Sequence, residues 1–188
     1  MRKLILSMQM TLDGYVSGPA GEMDWIASSD DDWQELFNDM ESVDTLLVGR
    51  NMHPDYFQYW QSVLTDPAAD PHEKKYAELA DRTPHILFSR TLTEVSWHNT
   101  RIAHDAASEV TKLKQQPGGD MMLWGGATIA SELLSLGLVD ELRITLNPTL
   151  LGAGLPMFNN IKTRHKLTTL SVKPLMAGLV LLKYKVDN

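Results

Sequence analysis

Between Met121 and Thr128 the sequence MMLWGGAT runs from apolar residues through two adjacent glycines into a stretch that continues, mostly apolar, to Leu136. A short apolar run bounded by glycines is a buried strand, and the stretch after it has the length and spacing of a packed helix. Glycines where a strand becomes a helix leave unpaired backbone N–H groups facing outward at the positive end of the helix dipole. This segment therefore predicts strand Met121–Trp124, turn Gly125-Gly126 and helix Ala127–Leu136; taken alone the glycine pair reads first as a plain tight turn, and secondly as a place where an anion could meet the backbone.

The rest of the chain is organised in the same terms. Lys3–Met10 reads as a buried strand, followed by an Asp13-Gly14 turn and a Gly- and Pro-rich loop to about Met23. Trp33, Leu36, Phe37 and Met40 fall at i, i+3, i+4 and i+7, one face of a helix over Asp30–Met40. Asp44–Val48 is a short strand ending in Gly49-Arg50, and His53–Trp60 a helix behind it. Pro67 and Pro71 mark a surface loop before a short helix over His72–Asp81. A strand follows over Pro84–Ser89, then a weaker one near Val95–Ile102. Ala106–Gln115 is a helix closed by Pro117-Gly118-Gly119. Strands at Leu142–Leu146, Leu167–Val172 and Leu179–Val186 complete the set. Strands alternating with helices early and clustering late predict an α/β fold: a three-layer, mixed but mostly parallel sheet flanked by helices. No linker or repeat interrupts it, so residues 1–188 are expected to form one domain.

Composition narrows the function classes. A net charge of −7 gives no general positive field to gather nucleic-acid phosphates. With no cysteine there is no disulfide, thiolate nucleophile or cysteine-ligated metal. The six histidines show no pair at i+2 or i+4, so no metal is expected. Arg2-Lys3 before Leu4-Ile5-Leu6 imitates a targeting signal, but the apolar run stops at Ser7. Nothing approaches the roughly 20 apolar residues of a membrane helix. The expectation is a cytoplasmic protein without nucleic-acid or membrane partners. Neither G-x-G-x-x-G nor G-x-x-x-x-G-K-[ST] occurs, which disfavours an ordinary dinucleotide fold or P-loop, and no G-x-S-x-G elbow is present.

Two further strand ends carry an arginine: Val48-Gly49-Arg50 and Phe88-Ser89-Arg90. Strand C-termini of an open sheet form a ligand crevice, so these turns together with Gly125-Gly126 would offer guanidinium forks and backbone donors to a dinucleotide. Singly, each arginine reads as a solvated charge. Asp30-Asp31-Asp32 reads first as the N-cap of its helix, and secondly as a carboxylate facing the crevice beside Trp25 and Trp33. Asp13-Gly14 is a turn.

Read in order, Thr11-Leu12-Asp13-Gly14, Leu47-Val48-Gly49-Arg50, Phe88-Ser89-Arg90, Gly125-Gly126-Ala127-Thr128 and Gly137-Leu138-Val139-Asp140-Glu141-Leu142 resemble the dihydrofolate reductase-like superfamily. The resemblance is closest to the reductase domain of bifunctional riboflavin-biosynthesis proteins and its stand-alone relatives, and Asn147-Pro148 through Leu151–Phe158 extends it over nearly the whole chain. It implies NADPH lying across the strand ends. Gly49, Arg50, Asn51, Met52, Ser89 and Arg90 would approach its adenosine end, and Gly125, Gly126, Ala127 and Thr128 its pyrophosphate and nicotinamide side. Met52 stands where the family often has threonine. The resemblance also implies a small heterocyclic substrate with Asp32 as the acid, and Asp13 and Trp25 as substrate contacts. Hydride would go to a C=N or C=O carbon of a pterin or aminopyrimidine-like compound. The alternative is a non-catalytic module that kept the NADPH cleft. A homodimer is the default assembly.

Overall fold

A computed structural model describes residues 1–187. In chain order its elements are β1 (Leu4–Thr11), β2 (Tyr15–Ser17), α1 (Asp30–Met40), β3 (Val43–Gly49), α2 (His53–Thr65), α3 (Pro71–Arg82), β4 (His85–Phe88) and β5 (Thr100–Ala103). They continue with α4 (Ala106–Gln115), β6 (Asp120–Leu123), α5 (Ala127–Ser135), β7 (Glu141–Asn147), β8 (Leu155–Pro156), β9 (Lys166–Pro174) and β10 (Val180–Asp187). Short 3-10 turns lie at Arg50–Met52 and Met176–Gly178.

The main sheet has eight strands in the order β5-β4-β3-β6-β1-β7-β10-β9. Pairings from β5 to β7 are parallel, and β10 and β9 add antiparallel beyond β7. Because side chains alternate between faces, each parallel strand feeds two cores. Leu4, Leu6, Leu47, Met121 and Leu123 pack with Val110 of α4 and with Ala130 and Leu133 of α5. Ile5, Leu46, Val48 and Met122 pack with Leu36 of α1, Phe57 of α2 and Tyr76 of α3. Both faces of these strands are dry, which is why they read as near-continuous apolar runs. Burying each such side chain contributes about 1.5–3 kcal/mol.

Three local features depart from the sequence expectation. The cap of α1 is Ser29, whose Oγ accepts from the Asp32 N–H, so Asp30, Asp31 and Asp32 form the first turn instead of the cap. The run from Val95 is not a strand until Thr100; Trp97, 1% exposed, makes it apolar by filling the core. Finally, β2 and β8 form a separate two-stranded sheet, and pieces of two or three residues are too short to show a period.

His85 on β4 is buried against α2 and α3. Its Nδ1–H donates to the Thr83 carbonyl at 2.9 Å, which leaves Nε2 to accept from the Tyr56 hydroxyl at 3.3 Å. Burial disfavours the imidazolium and pushes the pKa down from 6.5 to about 4. The unfolded chain therefore binds a proton that the folded chain refuses between those values. Stability from this residue is complete above about pH 6.5 and is lost as pH falls toward 4, by about 3 kcal/mol. Urea midpoints measured across that window should fall more steeply for the wild type than for His85→Gln; parallel curves would remove His85 as the cause.

Candidate functional site

The C-terminal ends of β4, β3, β6 and β1 lie side by side, which brings the three glycine and arginine turns together. The Gly49 N–H donates to the Gly125 carbonyl at 2.6 Å, and a Cβ on Gly49 would stand 2.8 Å from the Gly126 nitrogen. Gly125 has φ +98°, and its Cβ would meet Met8 Sδ at 2.7 Å. Packing and backbone thus require glycine at both positions. Gly126 is different: its φ is −80°, and the nearest atom to a Cβ there is Met52 Cγ at an ordinary 3.7 Å. Nothing inside the fold needs glycine at 126, so its bare side borders open space.

Gly126 is also the N-cap of α5 and supplies no side-chain cap, so first-turn N–H groups of this helix have no intrahelical partner. Around them, Arg50 and Asn51 are exposed, as is Thr128. Ser89 is buried, with Oγ accepting from the N–H groups of Thr91 and Leu92, which fixes the turn. Arg90, 81% exposed, reaches α5, with Nη2 3.5 Å from Glu132 Oε1.

Beside this turn lies a cavity of about 220 Å³ walled by β1, β6, β7 and the first three helices. Met8 and Met52, the two methionines against Gly125 and Gly126, belong to its wall, so the turn and the cavity share a partition. Asp32 lies on this wall and is 7% exposed. Its Oδ1 accepts from Arg143 Nη2 at 3.0 Å and from Thr145 Oγ1 at 3.1 Å. Arg143 and Thr145 are two apart on β7 and so share one sheet face. Oδ2 of Asp32 has no partner among the described residues.

Arg143 is itself held from behind, donating through Nε to Asp39 Oδ2 at 2.9 Å. Lys183 bonds Asp39 and Glu35, and Lys173 bonds Glu35. Lys173 first, and then Lys183, hold the Glu35 carboxyl below its ordinary pKa against the opposing effect of burial. Carboxylates and cations alternate through this network, so each of these side chains has a partner of opposite sign. Ser7 and Trp124 line the cavity, and their Oγ and Nε1 are buried with no hydrogen-bond partner among the described residues. Asn147 on β7 donates from Nδ2 to Gln9 Oε1 and accepts from the Ala27 N–H, both at 2.8 Å, pinning the segment ahead of α1 to the sheet.

The other candidates fall outside the cavity wall. Asp13 is exposed, and its carboxylate accepts from Thr11 Oγ1 and from the N–H groups of Leu151 and Gly152. The Thr11 hydroxyl and then the Gly152 amide lower its pKa. Asp13 therefore ties the end of β1 to the loop after β7. Trp25 is half-buried, with a buried Nε1 that has no partner. Asp31 bonds the Ser29 hydroxyl and the Met176 N–H, and Asp30 is exposed. Sequence reasoning missed Arg143 and Thr145. A charged residue inside the apolar run Leu142–Leu146 was the available signal, since it calls for a buried partner.

Residues 2–181 match the RibD C-terminal domain family. The protein YyaP of Bacillus subtilis (strain 168) is 34% identical over 184 residues, 97% of this chain and 94% of that protein. Among solved structures, a putative riboflavin biosynthesis protein from Shewanella sp. PV-4 superposes with a TM-score of 0.76 at 23% identity, covering 99% of each chain. A dihydrofolate reductase from Enterococcus faecalis complexed with NADP(H) gives 0.64 at 14% identity, covering 99% of this chain and 97% of its own. A diaminohydroxyphosphoribosylaminopyrimidine deaminase/5-amino-6-(5-phosphoribosylamino)uracil reductase from Thermotoga maritima gives 0.67 at 15% identity, with 99% of this chain against 57% of that one. At these identities the structures show a shared fold, a mostly parallel sheet between helices.

Proposed function

Because this chain belongs to the RibD C-terminal domain family, we propose that it is a reductase that uses NADPH to reduce a small heterocyclic substrate held in the Asp32 cavity. When bound, the cofactor supplies hydride for a C=N or C=O carbon. The observation that carries the proposal is Gly126, where an added Cβ would make no tight contact and would face Met52, a residue of the cavity wall. A Cβ would fill that cradle, so a bare backbone there suits the close approach of a pyrophosphate to the N-terminus of α5.

On this reading Gly125, Gly126, Ala127 and Thr128 hold the pyrophosphate and nicotinamide side. Gly49, Arg50, Asn51 and Met52, with Ser89 and Arg90, hold the adenosine end. Asp32 anchors the substrate: Oδ1 is committed to Arg143 and Thr145, which leaves Oδ2 to hold a substrate N–H or deliver a proton to it. Asp13 acts through the loop that it ties down, and Trp25 through the segment before α1. A cavity that holds a buried carboxylate with an uncommitted oxygen beside the cofactor turn favours an enzyme over a binding module that lost its substrate.

Titration with NADPH and NADH tests the cofactor assignment. The free enzyme should bind NADPH more tightly, and Arg50→Ala or Arg90→Ala should weaken NADPH roughly ten- to a hundredfold while NADH changes little. That range corresponds to losing one charge-assisted hydrogen bond of about 1.5–3 kcal/mol. Equal losses for both cofactors would remove these arginines from 2′-phosphate recognition.

A further inference from the structure

The cavity wall is aromatic on one side. Trp33, Tyr56, Trp60, Tyr76 and Trp124 all line it, and they touch one another through Tyr76. Its ring centroid lies 4.5 Å from Trp60, 5.5 Å from Trp124 and 6.3 Å from Trp33. The volume of about 220 Å³ is below the roughly 300–1,000 Å³ of sites for drug-sized ligands. Polar groups on the wall include Asp32 Oδ2, an acceptor when ionised, and the side chains of Gln9 and Ser28.

No cation on this wall is free. Arg143 is its only basic residue, 4% exposed, and each of its nitrogens is engaged: Nε by Asp39, Nη1 by Thr145 and Nη2 by Asp32. Two basic rings lie against wall residues: His85, bonded to the Tyr56 hydroxyl at 3.3 Å with burial holding its imidazole neutral, and His72, stacked on Trp33 at 6.1 Å, whose Nδ1 has carboxylates of Asp70 and Asp30 at 3.5 and 3.9 Å. Asp31 adds another acid in the same first turn of α1. A phosphate entering here would meet carboxylates and no available guanidinium or ammonium, whereas phosphate recognition ordinarily uses such groups.

We propose that the substrate cavity selects a flat, unphosphorylated heterocycle, gripped between aromatic side chains and hydrogen-bonded by Asp32, and that it discriminates against the phosphate ester of the same compound. This rests on reading the cavity as the substrate site of the proposed reductase. It sets the chain apart from the Thermotoga maritima protein, a reductase of 5-amino-6-(5-phosphoribosylamino)uracil by name, whose substrate carries a phosphoribosyl group. Aromatic faces favour a planar ring by offset or edge contact. The discrimination is supplied by an absence of positive charge, so it needs no steric gate.

Two matched pairs test it on the full chain: 5-amino-6-(5-phosphoribosylamino)uracil against its dephosphorylated form, and neopterin against neopterin monophosphate. Binding is read by quenching of tryptophan fluorescence and by calorimetry, with NADPH titrated separately. In each pair that binds, the unphosphorylated member should bind at least tenfold more tightly. Trp33→Leu should lower that affinity about tenfold without moving the NADPH dissociation constant. A phosphate ester that binds as well as or better than its partner overturns the proposal. So does a protein that binds NADPH but none of the four compounds, an outcome that leaves the cofactor reading standing. Tight, phosphate-averse ring binding without any NADPH binding would instead uphold the cavity inference and remove the reductase. If Trp33→Leu fails to fold, the wild-type pairs decide alone.

Discussion

Asp32→Asn is expected to lower turnover by about a hundredfold or more while leaving NADPH affinity close to that of the wild type. Asparagine keeps an oxygen for Arg143 Nη2 and Thr145 Oγ1, so the bonds that orient the side chain survive. What changes is the second atom: an acceptor that can carry a proton becomes an amide that only donates. The helix start is unaffected, because Ser29 is the cap. Activity should recover in part at low pH, where solvent or the substrate supplies the proton. A variant with wild-type kcat would return Asp32 to a structural role as the partner of Arg143. Because Asp32→Asn leaves Asp39 as the remaining carboxylate on Arg143, the variant should melt below the wild type, and turnover lost at temperatures where it is fully folded is the signature of the catalytic role.

Gly126→Val should abolish detectable NADPH binding in a protein that still folds. The φ of −80° is open to any residue, and a Cβ at this position meets only Met52 Cγ at an ordinary 3.7 Å, so the backbone can carry a side chain here. The added carbons occupy the face that a pyrophosphate would use. Gly126→Ala should give an intermediate loss. The neighbouring glycine is the control. Gly125→Ala places a side chain at φ +98° and against Met8 Sδ, and should cost stability of about 1–3 kcal/mol in strain before binding is considered. Circular dichroism and a melting curve separate the two cases. A folded Gly126→Val with unchanged NADPH affinity would make the glycine pair a turn and nothing more.

How far the sequence carries this picture depends on the range of each signal. The strands of the parallel core and the helices between them are legible because each buries a long apolar run or a regular stripe, as Trp33, Leu36, Phe37 and Met40 do on α1. The turn at Gly125-Gly126 is legible because glycine there is a local backbone demand. The floor of the cavity is not. Asp32 meets Arg143 across 111 positions of sequence, and only the placement of α1 against β7 joins them. The aromatic wall hides for a related reason: Trp60 and Tyr76 sit in helices whose apolar spacing reads as plain core packing. Only the third dimension shows that part of that packing surrounds a space.

The cavity is assembled from two kinds of material. Its charged floor belongs to an ionic chain running from Asp32 through Arg143, Asp39, Lys183 and Glu35 to Lys173, in which each member holds the next. Removing one ion strands another, so substitutions there must come in compensating pairs. Its aromatic wall has no such bookkeeping. Trp33, Trp60 and Trp124 meet their neighbours through ring and apolar contacts, so exchanging one for another apolar residue leaves no ion unpaired. Single replacements in the wall are therefore expected to be tolerated more readily than single replacements in the floor.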